Sequence, residues 1–184
     1  MDDEAREAKQ GFSWWYLKDV PLRKRLARRT DQMAGFGLGA QLFASLCKVV
    51  VERLGKGQGE ELIREAVEYF GRRRGARIAE KVRNLGKPLS FKNWLIHTDI
   101  GADNFSFTPV LDNRDLVVKV RECSFIRAAR DWGLEDLAAL YCRYADHAIL
   151  EGYNPAIKLE LQTRHDTGKD YCLFRYIMKE SNKG

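Results

Sequence analysis

The apolar positions divide the chain into two halves of different period. Residues 33–51 read MAGFGLGAQLFASLCKVVV, an apolar run close to the length of a membrane span. Gln41, Ser45 and Lys48 interrupt it, and a charge inside a span is costly. The pattern therefore predicts a core helix, buried on most sides and stopped by Gly55. After the linker KGQG, Leu62, Ile63, Ala66, Val67, Phe70, Ile78 and Val82 recur at helical spacing over residues 60–85. Gly71 and Gly75 share one face of that helix. A helical glycine costs about 1 kcal/mol relative to alanine, so a close contact should compensate. Another helix is the expected contact, with the glycine-rich start of the preceding helix as candidate. Further upstream an N-terminal helix is expected, then FSWWYL (residues 12–17) covering the core edge. Pro21 suits the first turn of a basic helix.

Beyond Pro88 the period changes. Ser90 is placed to cap a short helix through KNWLIH. Residues 105–111 and 116–120 alternate apolar and polar positions around DNRD, which predicts a hairpin. A long helix over residues 124–151 follows, with Gly133 as its weak point. Two last strands, residues 157–162 and 171–178, are joined by TRHDTGKD. Helices followed by strand–strand–helix–strand–strand predict an α+β fold with an antiparallel sheet. The 184 residues suit one domain, helical over 1–86 and α+β over 87–184, although two small lobes would also fit.

Composition narrows the function classes. A hydrophobic share of 45% is too high for disorder. The net charge of +6 is concentrated in PLRKRLARR (21–29) and GRRRGAR (71–77). No zinc-finger, RRM, KH or helix-turn-helix signature accompanies them, so solvated helix faces are expected and nucleic acid is not. Cys47, Cys123, Cys142 and Cys172 form no CxxC pair, and the chain has three histidines. No structural zinc and no cofactor are therefore expected. GFGLG (35–39) lacks a preceding strand and the spacing of a dinucleotide loop. The polar, acidic start carries no apolar leader, which predicts a cytoplasmic protein with free thiols and no membrane partner.

The candidate chemistry lies late in the chain. On the long helix Leu134, Leu137, Ala138, Tyr141, Ala145, Ala148 and Ile149 define a buried stripe. Cys142 falls inside it and Asp146 at its margin, whereas His147 turns toward water. A carboxyl near an apolar face needs a partner, and burial raises its pKa toward a useful range. Strand alternation sends Cys172, Phe174 and Tyr176 to one face, and Tyr171, Leu173 and Arg175 to the other. Taken singly, each thiol fits an inert core position. Asn154 and Pro155 suit a helix end, and Arg164 and His165 lie where a strand meets a loop. What decides between packing and chemistry is whether Asp146 and Cys172 line one hollow.

The run C-x-x-x-D-x7-N-P from Cys142 to Pro155, followed by G-x-D-x-C-x-F-R at Gly168 to Arg175, resembles the L-2-amino-thiazoline-4-carboxylic acid hydrolase family. The Gly71-x-x-x-Gly75 helix and KNWL at Lys92 to Leu95 are compatible with it. The resemblance implies hydrolytic opening of an amidine-like ring to an N-carbamoyl cysteine. It implies Asp146 as general acid–base and Cys142 or Cys172 as nucleophile. Asn154 would stabilise developing charge, and Arg164 or Arg175 would hold the carboxylate, with His165 nearby. More distantly the chain is similar to 4-vinyl-reductase-type and TRAPP-like domains, which implies a non-catalytic small-molecule-binding or sensor role. Either way the expected partner is a small-molecule substrate or ligand, and a homodimer would be compatible with it.

Overall fold

In the computed structural model, residues 35–112 and 115–178 are described, and they lie within a compact unit that begins at Gly35. The expected N-terminal helix, FSWWYL and the basic helix after Pro21 lie outside the described residues. Two long helices come first, α1 (Gly35–Leu54) and α2 (Lys56–Asn84). KGQG is the first turn of α2 and not a linker; Gly55, at φ 78°, alone breaks the two helices apart. Helix α3 (Phe91–His97) starts at Ser90, whose hydroxyl accepts from the Asn93 N–H, as the sequence predicts.

A hairpin of β1 (Phe105–Asp112) and β2 (Asp115–Cys123) precedes α4 (Ser124–Arg130) and α5 (Glu135–Tyr153). The predicted long helix is thus two, parted at Gly133, whose φ of 68° an L side chain adopts only with strain. Then come β3 (Ile157–Gln162), a single turn α6 (Arg164–Thr167) and β4 (Cys172–Met178). TRHDTGKD, read as a loop from the sequence, contains α6: Thr163 caps it and Gly168 ends it in the left-handed conformation. The fold is α+β, with a four-stranded antiparallel sheet in the order β1-β2-β4-β3.

Helix α5 is the central element of the unit that begins at Gly35. It packs against α1, α2, α4 and β3, and Ala139, Leu140 and Leu150 are buried beyond the predicted stripe. Leu140, Ile149 and Tyr153 are among its fully buried side chains, each worth about 1.5–3 kcal/mol of burial. Gly71 and Gly75 press on α5, not on the start of α1. A Cβ at Gly75 would stand 2.0 Å from the Ile149 carbonyl oxygen, and one at Gly71 2.6 Å from the Ala148 Cβ. Gly152 returns the fit, since a Cβ there would meet the Arg72 carbonyl oxygen at 2.2 Å. Bare backbone on both sides lets the two helices touch.

Helix α1 departs from the expectation of burial on most sides. Gly37, Ala40, Gln41, Ala44 and Cys47 form a buried face of small residues, and the Gln41 amide donates to the Ala128 carbonyl at 3.1 Å. Leu38, Leu42, Leu46 and Val49 lie exposed on the other side. By length and composition the helix could also cross a membrane.

Candidate active site

The close packing of α2 on α5 determines where Arg74 points. Sitting between the two contact glycines, its side chain is only 11% exposed and reaches toward α5. Its Nη1 donates to the Tyr141 hydroxyl at 3.2 Å, and its Nε lies 2.9 Å from both oxygens of Asp99. Two partners on separate segments hold this guanidinium in one orientation.

Behind Arg74 lies a cavity of about 90 Å³ between α5, the sheet and the start of α4. Asp146, Cys142 and Tyr141 reach it from α5, and Cys172 and Phe174 from β4. The sheet register explains the wall. Val120 is directly opposite Cys172, and Leu161 opposite Phe174, so all four share one face and line the hollow. Cys123, Thr163 and Arg164 also line it, with Phe36, Phe105 and Phe125 among its apolar walls.

The walls are mostly apolar, and the electrostatics follow. Burial pushes the Asp146 carboxyl from 3.8 up to about 6, with Arg74 pulling the other way. Burial pushes the Tyr141 phenol up to about 12 against the same arginine. The Cys142 thiol is driven well above its ordinary value, first by burial and then by Cys123, Asp146 and Cys172 around it. Cys123 is raised by burial too, against the Ile126 and Phe125 amides. The Arg164 backbone N–H donates to the Cys172 Sγ at 3.4 Å.

The other sequence candidates separate into those near the hollow and those away from it. Arg164 reaches the cavity, with its Nη2 donating to the Arg121 and Asp170 carbonyls. His165, on the same turn, is largely buried, with its Nε2 3.8 Å from Glu135 and without a hydrogen bond, and it does not line the cavity. Asn154 lies eight residues beyond Asp146, roughly 12 Å along the helix. Its side chain clamps the turn before α3, donating to the Leu89 carbonyl at 2.7 Å and accepting from the Ala156 N–H at 3.0 Å. Arg175 is on the opposite face of the sheet, bound to Asp115 at 2.7 Å and Asp112 at 2.6 Å across the hairpin. The structure therefore brings Cys142, Asp146, Cys172 and Arg164 together, and sets Asn154, His165 and Arg175 apart.

Arg74, Tyr141 and Cys123 are the neighbours that sequence reasoning did not assign to the site. The signal for Arg74 was the glycine pair: a residue flanked by two close-contact positions must run along the facing helix. Among the described residues no three His, Cys, Asp or Glu side chains are grouped as a metal site.

An antiparallel sheet backed by helices, with a small, mostly apolar hollow lined by a carboxyl, two arginines and three thiols, defines an α+β protein with one compact candidate site at its sheet. Residues 36–176 match the model of the L-2-amino-thiazoline-4-carboxylic acid hydrolase family, and the chain belongs to that family. No curated protein matches the chain.

Proposed function

We propose that this protein opens the ring of a 2-amino-thiazoline-4-carboxylate-type substrate by hydrolysis in the cavity around Asp146. The observation that carries the reading is the meeting of Asp146 and Cys172 on one small hollow in a chain of this family. The small size of the cavity supports a reaction site, and its mostly apolar walls are the feature the sensor alternative shares. A sensor for an apolar ligand calls for a large apolar pocket, whereas this one is small and has titratable groups converging on it.

Asp146 is mostly ionised at neutral pH and takes the Cys172 proton. The sulfur of Cys172 attacks the ring carbon between nitrogen and sulfur, the bond from that carbon to the ring sulfur breaks, and Asp146 returns the proton to the departing sulfur. Water, deprotonated by the same carboxylate, then displaces Cys172, whose sulfur takes that proton back from Asp146, and the carbon is left as a carbamoyl group on the former ring nitrogen. The balance is one water consumed, one carbon–sulfur bond broken and an N-carbamoyl cysteine released. Arg74 and Arg164 are the cations available for the substrate carboxylate. Cys142, with its thiol held neutral by burial, serves as wall.

Supplying the aminothiazoline acid to the purified protein and measuring carbamoyl product tests this. Asp146→Asn and Cys172→Ser should each lower kcat by about 100-fold or more, whereas Cys142→Ser should stay near wild type. Equal turnover in all three variants refutes the assignment of roles. Binding without turnover by the wild type favours the sensor reading.

A further inference from the structure

On the outer side of Arg74 a second, larger cleft of about 880 Å³ runs along α2 to α3 and the segment after it. Its floor is a row of cations. Arg73, Arg77 and Lys81 recur every four residues, so they project from one face of α2 at intervals of about 6 Å. Elsewhere on the same helix Arg64 is paired with Glu61 and Glu68, and Arg72 with Glu68 and Glu151. Among the described residues Arg73, Arg77 and Lys81 have no ion pair. Across the cleft stands His97, within 3.4 Å of Lys87, a further cation. The His97 imidazole is held below its ordinary value, first by desolvation and then by the Lys87 and Lys81 charges. Of the two carboxylates on the walls, Asp99 is bound to Arg74 and also feels the Lys81 charge, and Glu80 lies beside Lys81 on α2 with no ion pair among the described residues.

Three cations on one face, against Glu80 and an Asp99 already held by Arg74, leave a net positive charge that attracts an anion. Apolar side chains stand exposed at both ends of the cleft, Phe70 beside Arg73 and Leu85 beyond Lys81. A volume of this order suits a small organic molecule, not a flat macromolecular surface. We propose that the cleft along α2 binds a small organic polyanion, carrying two or more phosphate or carboxylate groups on an apolar or aromatic body. The anionic groups lie along Arg73, Arg77 and Lys81, and the body rests on Phe70, one turn before Arg73. This site is separate from the ring-opening cavity and does not depend on that reaction, although Arg74 forms part of the wall of both.

Titration calorimetry on the purified full chain at low salt, with ATP and tripolyphosphate as probes, tests the proposal. Both should bind, ATP the tighter, and both should weaken as salt rises. Arg73→Ala/Arg77→Ala should weaken ATP by about tenfold or more, while Arg64→Ala on the paired face should change it less than about twofold. Phe70→Ala should bring ATP down to the tripolyphosphate affinity. Thermal melting of each variant verifies the fold, and these cations are exposed. The proposal is overturned if neither probe binds the wild type. It is equally overturned if Arg64→Ala weakens binding as much as the double variant, or if a short RNA binds through these cations and both small probes do not. None of these readings requires turnover of the aminothiazoline acid.

Discussion

Asp146 carries two opposed effects in one side chain. Its carboxyl titrates near 6 when folded and near 3.8 when unfolded, so the folded form keeps its proton across that window. Folded protein then binds more protons than unfolded, and stability falls as pH rises from about 4 to about 6 and is level above. The ionised carboxylate costs on the order of 2–3 kcal/mol at neutral pH. Asp146→Asn should therefore melt higher than wild type at neutral pH, with the gap closing below about pH 4, while losing turnover. Differential scanning calorimetry across pH measures the first part. In wild type kcat/KM should rise with pH through about 6 and then level, as for a base that must be ionised. A variant that melts lower at every pH would mean the carboxyl stabilises the fold and is no strained reaction group. The helical period alone placed Asp146 on the margin of a buried stripe, and its perturbation follows from that position. Arg74 was hidden, because a run of three arginines reads as solvated face until the facing helix is known.

At the scale of elements, the contact of α2 on α5 has the tightest tolerance. A methyl at Gly75 would overlap the Ile149 carbonyl oxygen, which is backbone and has nowhere to move. Gly75→Ala should cost about 3 kcal/mol and lower the melting midpoint by roughly 10 °C. Gly57→Ala, with open space around it, should leave the midpoint unchanged or slightly raised. Because Arg74 adjoins the contact, the Gly75 variant should also lose activity before it loses secondary structure. That order is measurable by assay and circular dichroism below the melting range. The glycine spacing announced a close contact, but the identity of the partner depended on which helix presents its own small residues. Ala145, Ala148 and Gly152 of α5 do so. The strands, the Ser90 cap and the break at Gly133 were legible because turn chemistry and alternation are local. The exposed flank of α1 was not, since its leucines satisfy a core pattern equally well.

Across the whole molecule, Arg74 joins features that the sequence holds far apart: Asp99 before the hairpin, Tyr141 and Asp146 on the central helix, and the wall between cavity and cleft. Its charge is what holds Asp146 down to about 6 against a burial that would carry it higher. Removing that charge should move the carboxyl upward, so the rising limb of kcat/KM against pH should shift alkaline in Arg74→Ala. Arg74→Lys keeps the charge but loses the two-point hold on Asp99, and should shift the limb less while raising KM. Tyr141→Phe removes one anchor and leaves the charge in place, so its limb should stay near wild type. The same ranking should appear without turnover, in the titration of labelled aspartate carboxyl carbons by NMR. If Arg74→Ala left the Asp146 titration where it was, the guanidinium would be serving only to tie helices together, and the cavity would lack the cation assigned to it.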